Sequence, residues 1–452
     1  MAATPTAAQL MRSYYTNDFP VKAIVWLTTR LGDPFVLREW AIAALTNSGD
    51  DYYKRYVTAK DAEEFRAKMG EHPGLMALHV GPVWYKKVEK PGLNQDTRLL
   101  SEAPRPHRRE LIFDIDLNDY DFMDLYEGPQ DPLYPETRKL SLEKCDAAWP
   151  VAGIAVQLLV KMLHEQFGFN DFLCCYSGRR GVHLWVLDER AMVLDNEGRS
   201  AIATFLDITK QLTKDGKRAT EAHSLFVKRY NLMETVHALF QDVIVGQMGA
   251  LDMLTAREEF LERLDLSQHE SMHNLADEVS RKDSGLDAWK YIKTKVRDQA
   301  KKRPKACGWF ANRLDELVLS YVWPRIDFNV TKGTNHLIKS PFVAHPKTLR
   351  IGVPLRADEL LTFDPATAPT LGTEGWREAL MARGGKPDGK GLADWVWHMQ
   401  SPPAKAPVNA PAVHDAMDVD MEDLVPNGDP NPRKRTLPMT SQRCDVYGVP
   451  VR

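Results

Sequence analysis

Apolar and polar residues alternate along this chain with two different periods. From about residue 8 to 188, short apolar runs trade places with stretches at helical spacing, the pattern of a mixed α/β domain. One helix is well marked there. Pro150 suits a first helical position, Ala152, Val156, Leu159, Leu163 and Phe167 recur at helical spacing, and Gly168 fits the residue just past the end. From about 189 to 316 only the helical period persists, in charged amphipathic stretches such as "ATEAHSLFVKRYNLMETVHALFQDVIV". Strand-like segments return at "RIDFNV" and "RIGVPL". The pattern therefore predicts an α/β domain over 1–188, an all-helical insertion over 189–316, and completion of the α/β unit over 317–400. Residues 401–452, rich in proline, alanine and acid, have almost nothing to bury and are expected to be disordered.

Inside "LIFDIDLN" (111–118) the side chains of a strand would alternate faces. Leu111, Phe113, Ile115 and Leu117 point one way, and Ile112, Asp114, Asp116 and Asn118 the other. The two carboxylates share a face, with Cα atoms roughly 6.7 Å apart along the strand. Like charges beside an apolar sheet are costly unless a cation neutralises them, and hard divalent ions take such oxygen ligands. "RIDFNV" (325–330) repeats the alternation and is expected to place Asp327 on the polar face of a second strand, as the third acid that a two-ion site needs. An acid pair at a strand end that merely faces water is the plainer reading of the first motif.

"FLCCYSGRRGVHLWVLD" (172–188) reads as strand, tight glycine-bounded turn and strand, with His183, Trp185 and Leu187 on one face and Cys174 and Cys175 on opposite faces. Backbone N–H groups, the Ser177 hydroxyl and the forks of Arg179 and Arg180 together suit a polyphosphate. In "TNHLIKSPFVAHPKTLRIGVP" (334–354), Pro341 and Pro346 forbid a long helix, so His336, Lys339, Ser340, His345, Lys347 and Arg350 lie on a shaped loop. That loop follows the Asp327 segment directly, and some of its cations should face the same pocket.

Composition narrows the setting. A formal charge of −3 over 452 residues gives the molecule no overall attraction for a polyanion, so nucleic acid must be met by local basic patches. Five cysteines form no CxxC pair, and reduced thiols in an intracellular compartment are expected. No run approaches the ~20 apolar residues of a membrane span and the first residues lack a signal-peptide core, so a soluble protein with no membrane association is expected. "PRKR" (432–435) reads either as a nuclear import signal or as a solvated charge run.

"FDIDLNDYD", "YSGRRGVHLWVLD" and "PRIDFNVTKGTNHLIKSPFVAHPKTLRIGVP" resemble, in order and spacing, three blocks of the catalytic small subunit of eukaryotic and archaeal DNA primase. The resemblance runs from about residue 10 to 365. It implies a mixed β-sheet flanked by helices, and Asp114, Asp116 and Asp327 as metal-binding catalytic residues with two Mg²⁺ or Mn²⁺ ions. It further implies that Ser177, Arg179, Arg180 and His183 hold the triphosphate, completed by Lys339 and His345, with Arg55 in "YYKRY" as a further nucleotide contact and His336 near the ribose. The family reaction joins NTPs into a short RNA primer on single-stranded DNA and releases pyrophosphate. Its expected partners are a large primase subunit in a heterodimer and the DNA polymerase alpha complex, and its expected place is the nucleus. A primase-polymerase that prefers deoxynucleotides, for repair or damage bypass, is one alternative; a scaffold subunit without catalysis is another.

Two departures stand against that pattern. Relatives carry a cysteine-rich zinc site between the first two blocks, whereas residues 120–167 hold only Cys145, so the structural zinc is expected to be absent or altered. His79 stands where relatives commonly have an acid, and is expected to be a surface or core histidine. "WKYIKTKVRDQAKKRPKACGWF" (289–310), with eight Lys or Arg against one Asp, reads as template contact or as a solvated helix face.

Overall fold

The structure, a computed structural model, describes residues 5–46, 48–88, 106–120, 126–127, 139–208 and 232–400. The tail with "PRKR", and residues 121–125 and 128–138 of the interval in which relatives carry the zinc site, lie outside them. In chain order the strands are β1 (Arg38–Leu45), β2 (Asp51–Val57), β3 (Gly74–Trp84), β4 (Pro106–Arg108), β5 (Leu111–Asp116), β6 (Tyr126–Glu127), β7 (Lys139–Leu140), β8 (Asp171–Tyr176), β9 (Gly181–Val186), β10 (Ile338–Lys339), β11 (Pro354–Leu355) and β12 (Trp397–His398). Two antiparallel sheets dominate. One runs β10-β3-β1-β2 with β4 beside β3, the other β11-β8-β9-β5 with β12 beside β8. The mixed α/β class read from the sequence is the class observed.

Period-two alternation sorts the second sheet's side chains between two cores. Leu111, Phe113, Ile115, Cys174, Val182, Leu184 and Val186 join a core with the Trp149–Phe167 helix. Ile112, Leu173, Cys175, Trp185 and Leu187 face the other way, into a core shared with β1 and β3. Asp114 and His183 stand on this second face, so the polar residues open between the two sheets. The expected helix is present, with Pro150 in its first turn and Gly168 ending it at φ +66°. Together with the short helix before it, Leu142–Phe167 is apolar and long enough to cross a membrane by composition, contrary to the sequence expectation. With 83% of its apolar window inside the protein, it is a core helix. Between residues 189 and 316 the described elements are all helical, and their core runs on into that of the second sheet.

Three consecutive charged residues before β5 fix where that strand sits. Arg108 pairs with Asp33 at 2.6 Å. Arg109, buried, donates to the carbonyls of Val330 (3.0 Å) and Gly333 (2.8 Å), just beyond Asp327. Glu110 takes a two-pronged bond from Arg38 on β1, at 2.9 and 3.0 Å. β5 is thereby tied to the first sheet and to the late segment at once.

"RIDFNV" is not a strand. Asp327 instead caps the short helix Phe328–Lys332, its Oδ1 accepting from the N–H groups of Asn329 (2.8 Å) and Val330 (3.2 Å). Six alternating residues fit a strand, yet an Asp followed by one helical turn has the same apolar spacing over so short a stretch, and capping satisfies two otherwise orphaned donors. "RIGVPL" likewise yields only Pro354–Leu355 as strand, with Ile351 in an isolated bridge to Ala344.

Candidate active site

The acidic residues meet at the open edge between the sheets. Asp114 lies opposite His183 in the β5/β9 register and Asp116 opposite Gly181. The Asp327 N–H donates to the Asp114 carbonyl at 3.0 Å, which brings the late segment alongside β5. On the other wall, β10 pairs with β3 so that Lys339 stands opposite His79. All these groups line one cleft of about 340 Å³, together with Ser177, Arg179, Arg180, His336 and His345. A separate cavity of about 740 Å³, lined by Phe19, Ala67, Leu380 and other residues, holds none of these groups.

The glycine turn is shaped as the sequence requires. Ser177 N–H donates to the Gly181 carbonyl (2.9 Å) and Gly181 N–H to the Ser177 hydroxyl (3.1 Å). Gly178 sits at φ +89°, and a Cβ there would lie 2.9 Å from the Arg350 carbonyl, so no other residue fits. Arg180 leaves the turn to bind both Asp116 oxygens, at 2.7 and 2.9 Å. The facing loop carries two side chains in the left-handed region, Phe342 at φ 65° and Leu349 at φ 60°. Buried Tyr14 donates its hydroxyl to the Phe342 carbonyl at 2.6 Å and helps hold that conformation.

Electrostatically the cleft sets acids against cations. Burial, then the charges of Asp116 and Asp327, push the Asp114 carboxyl up to about 7. Burial, then the Lys339 ammonium, pushes the imidazoles of His183 and His345 down to about 3 and that of His79 down to about 4. These histidines are neutral near pH 7. His345 Nδ1 accepts from the Lys347 N–H at 3.2 Å, so its proton is on Nε2 and the ring is a donor. His183 Nε2 stands 3.6 Å from Asp114 Oδ1. The cleft thus sets crowded carboxylates directly against guanidinium, ammonium and N–H donors, with Arg180 on Asp116 and His183 beside Asp114.

Among the described residues no three His, Cys, Asp or Glu side chains are gathered tightly enough to hold an ion as they stand. The donor set nevertheless fits a hard divalent cation. Three carboxylates line one cleft, and their mutual repulsion, seen in the raised Asp114 carboxyl, is what such a cation would relieve. Asp116 is engaged by Arg180 and Asp327 by its helix cap.

Of the residues singled out from sequence, Asp114, Asp116, Asp327, Ser177, Arg179, Arg180, His183, His336, Lys339 and His345 all line the cleft, and Arg55 does not. Arg55 Nε donates to buried Glu39 at 2.9 Å and a second nitrogen to the Asn335 carbonyl at 3.1 Å, bracing the loop that carries His336. His79, expected to be an ordinary histidine, faces the cleft with Tyr53 at 5.3 Å against its ring. A single polar residue in an apolar strand is its signal, the same one that marks Asp114. Cys145 is buried on the helix Leu142–Ala147.

Carboxylates that can take a cation, set in one cleft with cations and N–H donors that can take a polyphosphate, define a nucleotidyl-transfer type of site. Comparison with known proteins agrees. The family model of the DNA primase small subunit matches residues 113–357. The DNA primase small subunit of Caenorhabditis elegans is 30% identical over 376 residues, 79% of this chain and 84% of that protein. That of Schizosaccharomyces pombe is 29% identical over 373 residues, 80% of this chain and 76% of that one. The archaeal DNA primase small subunit PriS of Pyrococcus horikoshii is 26% identical over 199 residues, 44% of this chain and 48% of the archaeal protein. The chain belongs to the DNA primase small subunit family and is a primase, a nucleotidyltransferase.

Removing Arg180 tests whether its guanidinium serves a nucleotide phosphate as well as Asp116. If Arg180 meets a nucleotide phosphate, loss of that charge-assisted bond, at ~1.5–3 kcal/mol, predicts that Arg180→Ala raises the apparent KM for nucleotide about 10- to 150-fold. His345→Ala should raise it less, with His345→Gln keeping most of the affinity because an amide also donates. Steady-state titration with nucleotide checks both, and a KM unchanged in Arg180→Ala would remove that residue from the phosphate pocket.

Proposed function

We propose that this chain polymerises ribonucleotides into short RNA primers on a single-stranded DNA template, with release of pyrophosphate. The observation that carries this is the convergence on one cleft of Asp114, Asp116 and Asp327 with Arg179, Arg180, Lys339 and His345, from segments more than two hundred residues apart. Asp114, Asp116 and Asp327 would hold Mg²⁺ or Mn²⁺. Ions bound there supply a lowered pKa at the attacking 3′-hydroxyl and charge stabilisation at the leaving pyrophosphate. Arg179, Arg180, Lys339 and the His345 N–H grip the triphosphate and offset its charge. Arriving phosphate competes with Asp116 for Arg180, so nucleotide binding frees Asp116 to serve as a ligand. His336 borders the acids and would face the ribose, and Arg55 would act through the loop it braces.

A large primase subunit, the DNA polymerase alpha complex and a nuclear location belong to the same reading; the relatives' name, small subunit, supports the first of these. The test is primer synthesis by the purified chain, alone and with a large-subunit partner, on oligo(dT) with ATP or dATP. Products from ATP support the assignment. Efficient extension only from dATP would move the chain to the deoxynucleotide-using alternative, and no product in any combination would leave the scaffold reading.

A further inference from the structure

Structure divides the basic stretch 289–310 into two parts. Trp289, Ile292 and Val296 are buried in the helical core, and Lys295 is held by Glu278 at 2.8 Å. Beyond them the Gly285–Lys302 helix ends, and Lys301, Lys302, Arg303 and Lys305 all face solvent. None of these four is paired with a carboxylate among the described residues. Complementing the helix dipole accounts for cations in the last turn, but not for Arg303 and Lys305 beyond it. Nor does it account for Trp309, a large apolar side chain left 45% exposed beside them.

The turn under this patch is rigid. Pro304 opens a short helix, Cys307 is buried beneath it, and His269 packs edge-on to Phe310 at 4.9 Å. Trp309 Nε1 donates to the Ala306 carbonyl at 3.1 Å and its ring meets Phe310 at 4.8 Å, so the indole is held in a fixed orientation. Trp309 also begins the 14-residue helix to Val322, about 21 Å long. The far end of that helix leads through Trp323 and Arg325 to Asp327.

We infer that Lys301, Lys302, Arg303, Lys305 and Trp309 form a second binding surface for single-stranded DNA, remote from the cleft. The four cations take backbone phosphates and the indole stacks an unpaired base. This deepens the proposed function by naming where template is held outside the site of chemistry.

The test is fluorescence anisotropy of labelled dT20 with the full chain, over a series of salt concentrations. K301A/K302A/R303A/K305A is expected to weaken dT20 binding at least tenfold in low salt and to flatten the slope of log K against log salt by about 0.7 for each phosphate no longer neutralised. W309A should weaken it about fivefold or more with the slope unchanged, W309F should restore most of that, and duplex DNA should be indifferent to W309A. Affinity within twofold of the parent chain in both the quadruple variant and W309A would overturn the inference, as would an equal loss of duplex binding in W309A. Thermal melts and nucleotide affinity should be unchanged in all variants. The outcome is independent of the catalytic reading, because D114N, inactive under that reading, should bind dT20 like the parent chain.

Discussion

Asp114→Asn is expected to abolish nucleotidyl transfer, at least a thousandfold, while leaving the metal-free protein as stable as the parent or more so. Both halves of this expectation come from the same charge crowding. Burial and two neighbouring acids push the Asp114 carboxyl up to about 7, so folding the metal-free chain above that pH forces an anion into a place that disfavours it. The sign is fixed. With the folded pKa above the ordinary carboxylate value, the folded state binds more protons between about pH 4 and 7, and stability from this group falls as pH rises through that window. The amide carries no charge and escapes that fall. Under the proposed two-ion reading it would also remove a hard-cation ligand from among the three acids, and the affinity for Mg²⁺ with it. Primer synthesis on oligo(dT) measures the first effect. Thermal melts at pH 8 in EDTA, and again with Mg²⁺, measure the second: the parent melting temperature should rise with Mg²⁺ and that of the variant should not. Parent-like product yield from Asp114→Asn would end the two-ion reading.

Much of this site is written in short-range periodicity. Alternation in "LIFDIDLN" puts both early acids on one face because a pleated strand leaves no other choice, and the same rule separates Cys174 from Cys175. The SGRRG turn needs only the freedom of Gly178 to adopt φ +89°. What is hidden in the sequence depends on partners far along the chain. Asp327 reads as a strand residue because one turn of helix is too short to show its own period, and its true place beside β5 depends on a backbone bond to Asp114. His79 gains its meaning only once Lys339 stands opposite it across β3 and β10. Arg109 and Glu110 look like the charged rim of a strand. Their partners, Val330, Gly333 and Arg38, lie between 72 and 224 residues away.

The largest stability effect is expected from those long-range partners. The Arg38 and Glu110 side chains are each only 1% exposed, and Arg30 adds a longer contact at 3.5 Å. Burial alone would raise the Glu110 carboxyl, but the Arg38 and Arg30 guanidinium groups override it and hold it down to about 2. A buried pair adds little over an apolar replacement, whereas removing one partner strands the other charge, at about 3–5 kcal/mol. Glu110→Gln should therefore lower stability by that amount, a large share of a typical ~5–15 kcal/mol total. The double variant Glu110→Leu/Arg38→Met should recover much of it. With the folded pKa below the unfolded value, the Glu110 contribution is complete above about pH 5 and is lost as pH falls toward 2, so the gap between parent and Glu110→Gln should narrow on acidification. Urea unfolding at pH 7 and pH 4 reads both effects. Because Glu110 directly precedes β5, partial unfolding there displaces Asp114 first, and activity in Glu110→Gln should fail at lower urea than the global transition. Coincident loss of activity and fold would show that the strand carrying the acids has no local weakness of its own.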